Sequence, residues 1–210
     1  MIKIFQRVSL LLLLSFSTVG ALADVQAVKQ LTDLLENTHS YQASFKQNTL
    51  DQSGNSIQRF DGQMLVKRPG LFYWHVNPPL EQLVISDGTS LWVYDPDLEQ
   101  AVKQKVDQRV SQTPALLLSG QVDTLEKSFD ISMTDDGAGL QIFTLIPKGQ
   151  DSLFEQLKLT FVDKLLVQMH MIDALGQRSS LEFLDVKINP GIDSRLFTFT
   201  PPKGVDVIEQ

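Results

Sequence analysis

From position 41 onward, apolar and polar residues alternate with a period of two through most of the chain. That is the spacing of strands whose side chains face opposite sides of a sheet. It is clearest from Phe60 to Val76, which reads as two strands broken at Pro69-Gly70. Phe60, Gly62, Met64, Val66 and Arg68 share one face of the first strand, and Phe72, Trp74 and Val76 share one face of the second. Further strands are predicted over 41–50, 82–86, 90–94, 99–103, 129–134, 140–146, 153–161, 165–172, 179–188 and 196–199. Asp87-Gly88, Asp135-Asp136-Gly137 and Asn189-Pro190-Gly191 mark turns between them. Val25, Val28, Leu31, Leu34 and Leu35 recur at helical spacing and predict an amphipathic helix over 24–38. Between 107 and 127 the alternation disappears. There Thr113-Pro114 opens a short apolar helix, Ala115-Leu116-Leu117-Leu118, ended by Ser119-Gly120, and 121–127 offers another helical turn. About eleven strands in mostly hairpin order, without repeat or linker, predict a mainly β chain with helices. The expected architecture is one curved antiparallel sheet, apolar on its concave face and closed by the two helical pieces.

The first residues do not belong to this pattern. Lys3 and Arg7 precede an apolar run from Val8 to Val19, and Ala21-Leu22-Ala23 has the small-x-small form of a cleavage site. Residues 1–23 therefore read as a secretory signal peptide and 24–210 as a single exported domain. No later apolar run approaches the ~20 residues of a membrane-spanning helix, so no stable membrane insertion is expected. The chain has no cysteine, so its stability is expected to come from a core and not from disulfides. The same absence removes the residue that lipid anchoring of a mature N-terminus requires. Loss of Lys3 and Arg7 takes the net charge from −7 to −9, which argues against nucleic acid and anionic membrane as partners.

Candidate chemistry is sparse. There is no nucleophile elbow, zinc-helix motif or phosphate loop, and His39, His75 and His170 lie at no metal-ligand spacing. No enzyme activity and no cofactor or metal are expected. What remains is apolar surface. Met64, Val66, Phe72, Trp74, Leu83, Ile85, Leu91 and Val93 are placed on one wall, and Leu157, Leu159, Phe161, Val167, Met169 and Met171 on the other. Small closed barrels fill with such side chains, whereas larger or unclosed ones hold a cavity. Methionines suit a wall that must accept varied apolar shapes. Arg68, at the rim of that face, either reaches water with its stem on the apolar wall or takes acceptors from elsewhere in the chain, since an unpaired buried guanidinium costs several kcal/mol.

Several stretches together resemble the outer-membrane lipoprotein carrier proteins, periplasmic chaperones of lipoprotein sorting. They are Ala43-Ser44-Phe45-x-Gln47, Gly62 with Lys67-Arg68-Pro69 and Phe72-x-Trp74, and Val84-Ile85-Ser86-Asp87-Gly88 with Leu91-Trp92-x-Tyr94. Asp95-Pro96-x-x-Glu99-Gln100, Thr113-Pro114, Gln177-Arg178-Ser179-Ser180 and Phe197-Thr198-Phe199-Thr200-Pro201-Pro202-x-Gly204-Val205 continue the series. The resemblance implies an unclosed β-barrel whose helical lid, Pro114 to Leu118, covers a hydrophobic acyl-chain cavity. It implies that Arg68 hydrogen-bonds lid backbone near Leu116 to Ser119 and holds the empty cavity shut. It further implies a monomer that takes acylated lipoproteins from an inner-membrane ABC exporter and passes them to an outer-membrane receptor. The alternative is a periplasmic lipid- or lipoprotein-sensing regulatory module of the same fold.

Overall fold

Antiparallel hairpins build most of the sheet. The computed structural model describes residues 19–106, 118–120, 125–149, 152 and 154–210. The first strands are β1 (Ser40–Leu50), β2 (Ser56–Lys67), β3 (Leu71–Val76), β4 (Gln82–Asp87), β5 (Ser90–Asp95) and β6 (Gln100–Lys105). The later ones are β7 (Phe129–Asp135), β8 (Leu140–Pro147), β9 (Phe154–Val162), β10 (Leu165–Asp173), β11 (Arg178–Ile188) and β12 (Asp206–Glu209). They form one 12-stranded sheet in the order β12-β6-β5-β4-β3-β2-β1-β11-β10-β9-β8-β7. β1 joins the two hairpin runs by pairing with both β2 and β11. The edge strands β12 and β7 do not meet, so the sheet is unclosed.

Helix α1 (Val19–Glu36) packs against β7 and against the single turn α2 (Leu125–Ser128). It starts and ends earlier than the 24–38 span predicted. Its buried stripe is Ala27, Leu31 and Leu35, while Val25 is 68% exposed. A helical face places 27, 31 and 35 in one line, four residues apart, and leaves 25 off it. Thr38 closes the helix end, its hydroxyl donating to the Leu34 carbonyl at 2.9 Å.

The core lies on the concave face. Tyr41, Ala43 and Phe45 of β1 pair with Val66, Met64 and Gly62 of β2, and Phe45 also pairs with Phe183 of β11. Gly62 is required here: a Cβ would lie 1.9 Å from the His75 carbonyl oxygen and 2.8 Å from the Phe45 ring. Without one, Phe45 crosses that position and stacks on Trp74 with centroids 3.7 Å apart. A bulge shifts one face. In β10 the break between Leu166 and Gln168 turns Leu166 inward, 4% exposed, in place of the expected Val167.

The C-terminal region departs from the expected antiparallel strand over 196–199. Ser194–Phe197 is a 3-10 turn capped by Asp193, whose carboxylate accepts the Arg195 N–H. It buries Phe197 on the outer side of β3 and β4. Phe199 follows it with ring contacts to Trp92 and Tyr94. The chain then adds β12 parallel to β6, which makes the sheet mixed at that edge. No helix among the described residues is long and apolar enough to cross a membrane.

Candidate functional site

The concave face encloses a cavity of ≈ 260 Å³ between two walls of the sheet. Phe72, Trp74, Val84 and Val93 of β3–β5 form one wall, and Met169, Met171 and Leu181 of β10–β11 the other. Gln47, Gln82 and Ser179 complete the lining, which carries no charged side chain among the described residues. The register explains the membership. Trp74 pairs with Val84 and Val84 with Val93, so these three side chains stand on the same face of neighbouring strands. Met169 likewise pairs with Leu181 and with Leu159.

The sequence-predicted wall residues divide three ways. Phe72, Trp74, Val93, Met169 and Met171 line the cavity. Met64, Val66, Leu91, Leu157, Leu159 and Phe161 face the same side but are 0–3% exposed, packed into the core beneath it. Leu83 and Ile85 lie on the opposite face, because Val84 points inward and side chains alternate. Ile85 is 3% exposed, on the face where the 3-10 turn packs against β4. The period-two pattern of β4 is apolar on both faces, so alternation alone could not choose between them. Of the polar lining residues, Gln47 stands in one of the motifs that carry the family resemblance but is not predicted to line the site, and Gln82 is not singled out at all. The available signal was their place at every second position after Tyr41-x-Ala43-x-Phe45 and before Val84.

Arg68 closes the far end of this face. Its Nη1 donates to the Gly120 carbonyl at 2.7 Å, and the Gly70 N–H donates to the Ser119 carbonyl at 2.8 Å. The acceptor for the guanidinium thus lies one residue beyond the expected Leu116–Ser119 range. Burial pulls the Arg68 guanidinium down to about 10, opposed by the charge of Glu36, so it stays protonated at neutral pH. Its Nε is buried without a hydrogen-bond partner among the described residues. Leu118, 5% exposed, sits with Leu35, Tyr41, Phe161 and Leu166 around a void of ≈ 20 Å³ beside Arg68. Pro114, Ala115, Leu116 and Leu117 lie outside the described residues.

The turn carrying Arg68 is held from behind. The buried Ser86 hydroxyl donates to the Gly70 carbonyl at 2.8 Å and accepts the Gly88 N–H at 3.1 Å. Gly70 has φ +75°, and a Cβ there would stand 2.9 Å from the Gly88 Cα, so this position takes glycine on both counts. Tyr41, whose phenol is raised by burial, donates to the Leu166 carbonyl at 2.8 Å and ties β1 to β10 beside Arg68. The histidines lie elsewhere. His75 Nε2 is 2.9 Å from Glu81, and His170 Nε2 is 3.3 Å from the Ser180 hydroxyl, on the outer face. Burial, and then the neighbouring Lys158 cation, lower the His170 pKa.

The sequence model of the outer membrane lipoprotein carrier protein LolA matches residues 36–200. A curated outer-membrane lipoprotein carrier protein of Pseudomonas entomophila is 48% identical over 204 residues, covering 97% of this chain and 98% of its own. That of Pseudomonas aeruginosa PAO1 is 49% identical over 187 residues, covering 89% of each chain. Among solved structures, a LolA superfamily protein from Nitrosomonas europaea superposes with a TM-score of 0.52 at 14% identity, covering 84% of this chain and 98% of that one. That last likeness concerns the fold alone. With a family model spanning most of the chain and relatives near half identity over nearly its full length, the chain belongs to the outer membrane lipoprotein carrier protein LolA family.

Proposed function

We propose that the chain is a periplasmic carrier that holds the acyl chains of lipoproteins in the concave cavity. It takes its cargo from an inner-membrane ABC exporter and yields it to an outer-membrane receptor. Residues 1–23 act as the cleaved signal peptide, and 24–210 as the carrier domain. The observation that carries this reading is the cavity itself: apolar walls, no charged lining among the described residues, and an arginine latch at one end. Family membership supports lipoproteins as the cargo.

Physical scale favours a carrier with a weak grip. Each buried CH₂ contributes roughly 0.8 kcal/mol, so a tri-acylated protein cannot leave a membrane for water unaided. A cavity of ≈ 260 Å³ is also smaller than the roughly 300–1,000 Å³ of sites that enclose a drug-sized ligand. Loading must therefore widen it. The Arg68–Gly120 bond, with Leu118 packed beside it, opposes that widening and lowers net affinity by the cost of opening. The same cost favours release when a receptor offers a better site. Depletion in the parent bacterium tests the role. Lipoproteins should accumulate at the inner membrane, whereas normal sorting would sink the proposal.

A further inference from the structure

The polar members of the cavity lining are gathered at one end. Gln82 is the first residue of β4, directly after the 77–81 turn, and Ser179 is the second of β11, after the 174–177 turn. Gln47 stands near the end of β1, before the 51–55 turn. The register of β1 with β2 and β11 places all three turns at the same end of the sheet, opposite the Arg68 turn. Gln82 pairs with Val76, which is 4% exposed and pairs in turn with Gly62, so the carboxamide is on the inner face.

These amides are not used by the fold. Gln82 makes no side-chain hydrogen bond among the described residues. The side-chain contact of Gln47 is a 3.5 Å approach of Nε2 to the Thr49 hydroxyl, too long to satisfy it. The Ser179 hydroxyl, by contrast, is engaged by Thr49 at 2.9 Å. A carboxamide beside an apolar cavity loses its water when the cavity fills, and that loss costs free energy unless the ligand supplies a partner. Purely hydrocarbon contents would be better served by leucine at both positions.

We infer that Gln47 and Gln82 recognise the carbonyl groups at the heads of the cargo's acyl chains. The inference rests on the cavity being the acyl site. Acyl chains join a lipoprotein anchor through ester and amide carbonyls. A glutamine N–H₂ donates to either kind, and its carbonyl accepts an amide N–H. The chain heads then sit at the end with the 77–81 turn, and the tails run past Trp74 and Phe72 toward the Arg68 latch. Recognition of this kind distinguishes an acyl group from a bare alkyl chain of equal length.

The test compares two lipids that differ only in those carbonyls: 1,2-dipalmitoylglycerol and its diether, 1,2-dihexadecylglycerol. Each displaces a fluorescent fatty-acyl probe from the mature protein. The wild type should favour the ester by about tenfold, the scale of one or two neutral hydrogen bonds. The Gln47→Leu/Gln82→Leu protein should bind the two lipids alike, with ether binding unchanged or tighter. Where the double variant does not fold, Gln82→Leu alone is read in the same way, with at least half of the preference lost. Equal binding by the wild type, or an intact preference in the variants, overturns the inference and leaves the acyl cavity standing. Failure of the wild type to bind either lipid overturns both.

Discussion

At the scale of single residues, the proposed carrier role makes Arg68 the group that opposes opening of the cavity. A charged hydrogen bond to a carbonyl contributes about 1.5–3 kcal/mol, but the buried and unpartnered Nε subtracts from that. Leucine removes both terms and adds apolar surface beside Leu118. Arg68→Leu should therefore shift the lid toward the open state by about tenfold, the equivalent of ~1.4 kcal/mol. Loading with lipoprotein should persist or tighten, and transfer to a purified receptor should slow. Arg68→Lys should fall between the two, since an ammonium keeps the charge without the planar fork. Transfer of the leucine variant at the wild-type rate would make Arg68 a rim residue only.

At the scale of elements, the legible parts were those with one apolar face. The alternation of β1, β2, β3, β8, β9 and β11 located each strand within a few residues, because only one register buries its apolar set. β4 has no such preference, since Leu83 and Ile85 are as apolar as Val84, and its facing was settled by the pairing of Trp74 with Val84. The 194–199 segment misled for a related reason. Leu196-Phe197-Thr198-Phe199 has strand composition, yet it serves as a cover over an already formed sheet, with the Asp193 cap setting its first turn. Arg68 was conspicuous as a charge ending an apolar face, whereas its acceptor at Gly120 is a backbone carbonyl and leaves no mark in composition. The outer cover has an energetic consequence. Phe197 is 1% exposed and lies in the 3-10 turn that packs against β3 and β4. Phe197→Ala should cost about 3–5 kcal/mol through lost burial and the cavity left behind. A guanidinium unfolding curve checks this by its midpoint. A cost below ~1 kcal/mol would show the C-terminal segment to be a loose strap and not part of the folded unit.

At the scale of the whole molecule, an unclosed sheet can change its enclosed volume without breaking strand pairs, because its edges, β12 and β7, are not bonded to each other. Filling the cavity then couples to stability through mass action: a ligand that binds only the folded state stabilises it by RT ln(1 + [L]/Kd). On the proposed gating by Arg68, the apparent Kd of the wild type includes the work of displacing the Arg68–Gly120 contact. In Arg68→Leu that work is absent. The comparison needs a direct reporter, and the two tryptophans permit one. Trp74 lines the cavity, stacked on Phe45, whereas Trp92 sits on the outer face against Phe199 and under the Lys103 ammonium. With Trp92→Phe in both backgrounds, Trp74 emission follows filling by a fatty-acyl ligand, and denaturant curves at one saturating concentration give the stabilisation. The increment should be ~2.7 kcal/mol at a hundredfold excess over the wild-type Kd. It should be ~1.4 kcal/mol larger in the Arg68→Leu protein, which binds about tenfold tighter. Because each increment is taken against the same protein without ligand, any effect of leucine on the empty fold cancels. Equal increments with full Trp74 responses would mean that the cavity fills without moving the latch, and would separate acyl binding from lid opening.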